Sequence, residues 1–479
     1  MIRSQDIRER ASEWQLRVNV VEKDYVLGWL LAALAAHPET SQQWVFKGGT
    51  CLKKCFFETY RFSEDLDFSL LPGAKYTAPE LQMVLQEVAD QASELSGITF
   101  ASQTVSIRER RNKRGQGTFE ASIEYRGPMS DPGGPRVRFD LTRQEPVLDG
   151  VRRRGVFHAY PDVLPADILV ATYSIDELFA EKLRALTERT RPRDLYDVMF
   201  MLENHLDALN LGRSRELFRE KCAVKQLAVP TSEQLLEIIR GAAELRSEWA
   251  NMLAHQLPEL PPLDAILARL DTLFAWLSRP EAVPVPMAVA VAARTDEELV
   301  AAAGLQYWGS GVRLEAVRFA GANRLMVEFT YNGERRLVEP YSLRRASTGN
   351  ILLYAWEVSS GQIKAFNAAK IMDLRATTRP FTPRFRVEFT TGGPMAVPSV
   401  PQRAPRASSS AWPRAPRTTR STGRRRSPRS GIVYVYQCPY CNKKFEHSRA
   451  DSTLRAHKNA GGYGQCPGRT GYLVTTRYR

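Results

Sequence analysis

At 479 residues, with 43% hydrophobic and 25% charged positions, the chain has the make-up of ordinary soluble protein and room for roughly two to four domains. Its net charge of +14 is concentrated: from Pro401 to Arg479 there are 17 Lys and Arg against two acids, leaving 50 basic and 51 acidic residues before them. The longest apolar run, Tyr25 to Ala36, is too short to span a bilayer, Met1 to Asp6 lacks a signal-peptide layout, and six cysteines make no disulfide scaffold, so a cytosolic, non-membrane protein is expected. A neutral body with a polybasic tail points to nucleic acid.

Residues 1 to 36 read as helices, Trp44-Val45-Phe46 as a short strand, and Cys51 to Phe57 as a helix beyond the turn Lys47-Gly48-Gly49-Thr50. Glycines there leave backbone N–H groups unobstructed, and Thr50 adds a hydroxyl; both suit a phosphate. Asp65 to Leu70 alternates as a strand, so Asp65 and Asp67 share one face, roughly 6–7 Å apart, while Leu66 and Phe68 pack inward. Two hard carboxylates on a rigid face suit Mg²⁺, which shares itself with substrate phosphates. Taken singly, such a turn is more often a plain turn and such a pair a solvated sheet face. In this order they point to phosphoryl or nucleotidyl transfer.

Ala78 to Leu95 has helical periodicity. Phe119 to Tyr125 and Arg136 to Thr142 read as strands around the loop Gly127 to Gly134, and Asp140 lies on the second of them. Ser174 to Glu188 is an amphipathic helix with Asp176 and Glu177 near its start. It stops at Arg191-Pro192, and another helix begins near Asp194. On residue type alone, Lys182 snorkels past Leu178 and Leu186, Asp194 is an N-cap, and Glu181 and Arg193 are surface pairing residues. Residues 206 to 278 read as a helical bundle, followed by a linker marked by Pro280, Pro284 and Pro286.

Phe46-Lys47-Gly48-Gly49-Thr50-Cys51-Leu52, followed by Arg61-x-Ser63-x-Asp65-Leu66-Asp67-Phe68, resembles the nucleotidyltransferase AbiEii/AbiGii toxin family of the DNA polymerase β-like superfamily. Val21-Glu22-Lys23-Asp24-Tyr25, Glu181 to Leu186 and Arg193-Asp194-Leu195-Tyr196-Asp197 resemble further family motifs in the same order. The resemblance implies that Gly48, Gly49, Thr50 and Ser63 hold a triphosphate. It implies that Asp65 and Asp67 carry two Mg²⁺ ions, with Asp140 on the adjacent strand as third carboxylate. Arg61 and Lys182 would neutralise phosphate charge, and Asp194 would lie near the active site. The implied activity is transfer of a nucleotide from NTP to an RNA acceptor, the tRNA 3′ end. The implied setting is a type IV toxin–antitoxin or abortive-infection (phage defence) system, with an antitoxin encoded nearby.

Further on, Arg313 to Phe319, Arg324 to Tyr331, Arg336 to Pro340, Ile351 to Val358 and Ile363 to Phe366 read as strands, with a hairpin signal at Asn332-Gly333. Arg336 to Tyr341, Tyr354, and Lys364-Ala365-Phe366 leading to Lys370-Ile371 resemble a WYL domain, a small SH3-like β-barrel. That family's Trp-Tyr-Leu is Leu353-Tyr354-Ala355 here. The resemblance implies sensing of a nucleotide or nucleic-acid ligand, with Tyr341, Arg344 and Lys370 as polar candidates; a ligandless structural barrel is the alternative.

Residues 393 to 430, rich in Pro, Ser and Arg and without an acid, are expected to be disordered and to bind phosphate backbones of DNA or RNA. Cys438-x2-Cys441, His457 and Cys466 have the spacing of a structural Zn²⁺ site, with Phe445 and Leu454 as the packing pair of a ββα finger and His447 as a competing ligand.

The expected fold is therefore α+β: a polymerase β-like nucleotidyltransferase core (1–205), a helical bundle extension (206–280), a WYL-like barrel (300–392), a disordered basic linker (393–430) and a zinc finger (431–479). Two other functions stay open. One is a nucleic-acid-binding regulator whose core only senses nucleotide; the other is an enzyme modifying a small hydroxylated molecule such as an antibiotic.

Overall fold

The structure is a computed structural model and describes residues 1–74, 76–111, 117–129, 134–143, 145–279, 297–299, 314–346, 350–389, 432–438, 443–447, 453–457, 466 and 472–478. The proline linker at 280–286, the arginine-rich stretch 393–430 and Cys441 lie outside these residues. The chain divides into two compact units, Met1–Ser399 and Val400–Arg479.

The first unit opens with helices α1 (Ser4–Trp14), α2 (Val18–Ala36) and α3 (Thr40–Gln43), then strand β1 (Trp44–Lys47). Helix α2 is apolar nearly all round and is correspondingly buried. Helix α4 (Gly48–Cys51) runs into a π-helical turn, Leu52–Phe56, ahead of β2 (Asp65–Leu70). Then follow α5 (Ala78–Ser96), β3 (Thr99–Arg111), β4 (Gly117–Arg126), β5 (Arg136–Thr142), β6 (Arg152–Arg154) and β7 (Val170–Thr172). These strands form a seven-stranded mixed sheet in the order β3-β4-β5-β2-β1-β7-β6. β2 runs antiparallel to β1 and parallel to β5 at its centre. Strands β3, β6 and β7 have no counterpart in the sequence reading; β6 and β7 are only three residues long and carry no alternation.

Helices α6 (Ile175–Glu188), α7 (Pro192–Asn204), α8 (Leu211–Val224), α9 (Ser232–Gly241), α10 (Ala243–Leu253), α11 (Leu263–Leu267) and α12 (Leu270–Phe274) complete this part. Ser174 caps α6 by accepting a hydrogen bond from the Glu177 N–H, as expected of that start signal. Asp194 is not an N-cap: α7 begins at Pro192 after Arg191, which puts Asp194 in the first turn. The helices after residue 206 share one continuous apolar core with the sheet, through Leu217, Leu235, Trp249, Phe274 and Trp276.

Strand β8 (Glu297–Leu299) and helix α13 (Leu314–Ala322) lead to β9 (Leu325–Tyr331), β10 (Glu334–Ala346), β11 (Ile351–Glu357), β12 (Gln362–Asn367) and β13 (Ile371–Pro380). The strand expected over Arg313 to Phe319 is this helix instead. The alternation of Val317 and Phe319 misled because both faces are buried: Phe319 joins the first core, while Leu314 and Val317 join a second core under the sheet. The sheet order is β12-β11-β10-β9-β13, with β8 also pairing β10. No pairing joins β12 to β13 among the described residues, so the expected closed barrel is an open, helix-backed sheet there. The second sheet is fastened to α7: Tyr196 donates to Asn323 at 2.8 Å, and Arg324 donates to Glu203 O at 2.8 Å and Asn204 at 3.0 Å.

The second unit contains β14 (Ile432–Gln437), β15 (Lys444–His447) and β16 (Tyr472–Tyr478), a three-stranded sheet in the order β15-β14-β16. No helix occurs among its described residues; most of the stretch between His447 and Cys466, where the helix of a ββα finger would fall, lies outside them.

Candidate active site

Strand register assembles the site. Lys47 on β1 faces Asp67 on β2, Asp67 faces Asp140 on β5, and Asp140 faces Glu120 on β4. Paired residues in adjacent strands project to the same side, so Lys47, Asp67, Asp140 and Glu120 make one row across the sheet. Asp65 stands two residues back on the same face of β2, opposite Arg138. The three carboxylates expected from sequence are thus brought together.

Crowding tells in their chemistry. Burial, then Asp140, raises the Asp67 carboxyl to about 6, against relief from Lys47. Burial likewise raises Asp140, with Glu120, Glu145 and Asp65 adding to it and Lys47 opposing. Asp140 Oδ1 is buried without a hydrogen-bond partner among the described residues. Orphaned carboxylate oxygen beside carboxyls that resist ionisation is a donor set that fits a hard divalent cation.

The glycine turn closes one side. Gly48 has φ +80°, and a Cβ there would lie 2.2 Å from Asp67 Oδ2. A Cβ on Gly49 would lie 2.5 Å from Arg61 Nη2 and 3.1 Å from Ser63 Oγ. The carboxylate and the Ser63 hydroxyl therefore approach the start of α4, whose first N–H groups have no intrahelical partner. Gly48→Ala is expected to displace Asp67 and cut nucleotide transfer by about 10²-fold, from a misplacement on the order of 1 Å; wild-type turnover in that variant, measured by label incorporation, would contradict this packing.

Thr50 is fully buried and its hydroxyl donates to Asp65 O, so it aligns the start of β2 and does not face the site. Arg61 is likewise internal. It forms a fork with Asp197, Nε to Oδ1 at 2.6 Å and Nη2 to Oδ2 at 2.8 Å, and Nη1 donates to Gln256 at 2.8 Å. Its role as a phosphate ligand does not fit these contacts. Lys182 Nζ lies between Asp194 Oδ1 at 3.0 Å and Asp197 Oδ2 at 2.8 Å. Burial opposes its charge, but the two aspartates outweigh that and hold it protonated, and its field reaches Asp67. Burial pushes Asp194 up, but Lys182 and Arg189 more than offset it. Asp194 is therefore a positioning group for Lys182.

Other participants escaped the sequence reading. Lys47 forms a buried ion pair with Glu145, and Asp197 gathers Tyr60, Arg61 and Lys182. The repeated Asp of Arg193-Asp194-Leu195-Tyr196-Asp197 was the available signal for the latter. The Glu22-Lys23-Asp24 stretch of α2 fastens three pieces around the site. Glu22 accepts from the Met129 N–H at 2.7 Å, Lys23 pairs with Glu64 at 3.1 Å, and Asp24 pairs with Lys54 at 2.6 Å.

A cleft of about 500 Å³ opens beside Asp65, lined by Lys23, Glu64, Ser122, Arg136, Arg138, Arg193 and His255.

In the other candidate sites the picture is mixed. Tyr341 is a core residue whose hydroxyl donates to Glu339 at 2.8 Å, Arg344 pairs with Glu388 at 2.9 Å, and Lys370 is exposed; no partner or cavity among the described residues unites them. In the second unit the ligand atoms of Cys438, His457 and Cys466 lie within 4.8 Å of one another. The two sulfurs are 3.6 Å apart, near the ~3.8 Å edge of a tetrahedron with Zn–S bonds of about 2.3 Å. His457 Nδ1 donates to Arg455 O at 2.9 Å, and Nε2 is left buried without a partner among the described residues.

A carboxylate row against a glycine-opened helix start is the layout of a phosphoryl-transfer enzyme, and the class it defines here is a nucleotidyltransferase. Residues 29–274 match the family described as nucleotidyl transferase AbiEii toxin, type IV TA system. That is just over half of the chain, which belongs to this family of nucleotidyltransferase toxins. Among solved structures it is similar to MenT4, a nucleotidyltransferase toxin from Mycobacterium tuberculosis H37Rv, at 21% identity over 58% of this chain and 90% of that one, with a TM-score of 0.41. No curated protein sequence matches the chain. No helix among the described residues is long and apolar enough to cross a membrane.

Proposed function

We propose that this toxin is a Mg²⁺-dependent enzyme that transfers a nucleoside monophosphate from an NTP to the 3′ end of an RNA, with tRNA the acceptor its family resemblance favours. The observation that carries the reading is the convergence of Asp65, Asp67 and Asp140 on one sheet face beside Gly48. Those three carboxylates would hold the ions, which when bound neutralise phosphate charge and promote ionisation of the attacking hydroxyl. Gly48, Gly49 and Ser63 receive the triphosphate at the start of α4. In the transfer, an acceptor 3′ oxygen bonds to the α-phosphorus, the bond to the bridging oxygen breaks, and pyrophosphate leaves with that electron pair. Lys182, locked in its charged form by Asp194 and Asp197, supplies a fixed positive field for the departing charge.

Incubation of the protein with each α-³²P-labelled NTP and total RNA tests this. Label is expected in a discrete RNA band only with the divalent ion present. Label appearing on protein or on a small hydroxylated compound, with none on RNA, would overturn the acceptor. A type IV toxin has an antitoxin partner, and the reading extends to one encoded close by, acting in phage defence from the cytoplasm.

For the second unit the same reading is a structural Zn²⁺ held by Cys438, His457 and Cys466, with Cys441 as fourth ligand. The full chain is expected to contain one equivalent of zinc, and Co²⁺ exchanged into it to give sulfur-to-metal charge-transfer bands that Cys438→Ser abolishes. Metal-free protein with freely titrating thiols in this unit would contradict it. Residues 300–392 remain a WYL-like module in this proposal, with no ligand assigned to it, and the arginine-rich 393–430 segment contacts nucleic-acid phosphates.

A further inference from the structure

The cleft beside Asp65 has a charge pattern that the carboxylate row does not explain. Arg138 stands directly opposite Asp65 on the neighbouring strand, with Arg136 two residues earlier on the same face. Arg193 enters from the start of α7. Lys23 is neutralised by Glu64 and Arg136 by Glu124, at 3.1 and 3.3 Å. No carboxylate pairs with Arg138 or Arg193 among the described residues; Arg193 donates only from Nε, to Met252 O at 3.3 Å. Two guanidinium groups thus face a cavity of about 500 Å³ with their forks uncommitted. Arg138 is exposed and Arg193 half-buried, so both stay solvated in the open cleft and are free to exchange water for an anion. Arginine forks match phosphate oxygens bidentately, and Ser122, across from Arg138 on β4, adds a hydroxyl suited to a sugar or phosphate.

Gly48 and Gly49, at the end of β1, abut Asp67, Arg61 and Ser63, whereas the cleft lies on the other side of β2, from Asp65 over β5 and β4. We infer that Arg138 and Arg193 grip the phosphodiester backbone of the acceptor RNA just upstream of its 3′ end. They thereby deliver the terminal hydroxyl to the carboxylates and leave the triphosphate to the glycine turn. Both are positioning residues, and the inference rests on the transferase reading above for the identity of the acceptor.

The test uses the full chain as wild type, Arg138→Gln, and Arg138→Gln with Arg193→Gln; Arg138 is exposed, so the single variant disturbs no core. Steady-state transfer gives KM separately for NTP and for total tRNA. Anisotropy of fluorescein-labelled single-stranded RNA reads binding without turnover. The basic tail is common to all three proteins, so differences among them report the cleft. The double variant is expected to raise KM for tRNA by about 10-fold or more, to weaken the labelled RNA similarly, and to reduce the slope of log affinity against log salt by about 2. KM for NTP stays within about twofold. A raised KM for NTP with RNA binding unchanged would assign the cleft to the triphosphate and overturn the inference, as would no change in either. Wild-type protein that binds RNA through these arginines yet transfers no label would sink the transferase reading while leaving this one standing.

Discussion

In Asp67→Asn, nucleotide transfer falls by about 10³-fold or more while the metal-free protein becomes more resistant to heat. The two effects have one cause. Asp67 is pressed between burial and the Asp140 carboxylate, and its carboxyl stands at about 6, against an ordinary value of 3.8. The folded chain therefore holds this proton more tightly than the unfolded chain does. Its stabilising contribution is fully present below pH 4 and is lost as the pH rises through about 6. By pH 7 the loss amounts to as much as roughly 3 kcal/mol, which the neutral amide abolishes. A divalent ion replaces the proton, so the wild type alone gains thermal stability when Mg²⁺ or Mn²⁺ is added at neutral pH. Its metal affinity weakens about tenfold for each pH unit below 6 for each proton displaced. Thermal melts with and without metal, at pH 5 and pH 7.5, read both signs. Equal melting of variant and wild type throughout would mean that Asp67 is not strained by its neighbours.

Arg61→Ala is expected to destabilise the protein by about 3–5 kcal/mol, because it strands a buried carboxylate. Arg61 and Asp197 have side chains 2% and 0% exposed, and Asp197 also binds Lys182 at 2.8 Å. Removing the guanidinium leaves Asp197 with one cation where it had two, which drags Lys182 from its place between Asp194 and Asp197. Arg61→Lys recovers little, because an ammonium cannot make the fork. In a double-mutant cycle, Arg61→Ala with Asp197→Ala costs less than the sum of the two single changes. Denaturant melts of the four proteins supply the numbers. A variant that keeps its stability but loses only kcat would return Arg61 to the phosphate-binding role expected from sequence.

The site was legible where it followed a short-range rule. Asp65 and Asp67 share a face because strand side chains alternate, and Gly48 is legible because glycine leaves backbone N–H groups open to a phosphate, although its φ and its carboxylate neighbour show only in the structure. The Asp140 position rested on resemblance, since its pairing with Asp67 is a long-range register that no local pattern encodes. The resemblance turns Arg61 and Thr50 toward the triphosphate and sets Asp194 near the active site, yet their partners Asp197, Asp65 O and Lys182 hold all three inside the protein. A charged residue near a motif does not disclose which way it points. Helix α13 was mistaken for a strand because a helix wedged between two cores has no polar face, so periodicity loses its contrast. The sheet beyond it kept the hairpin at Asn332-Gly333, where turn chemistry alone decides. Its closure into a barrel is instead a matter of distant edges, which no local pattern encodes.

The central claim is most directly tested by Mn²⁺ binding followed by electron paramagnetic resonance in the presence of a non-hydrolysable NTP. Wild-type protein should take up the ion with a spectrum altered by the nucleotide phosphates, and Asp67→Asn and Asp140→Asn should each lose that signal while remaining folded. Retention of the same bound-ion spectrum in both variants would place the metal elsewhere and contradict a centre built from Asp65, Asp67 and Asp140.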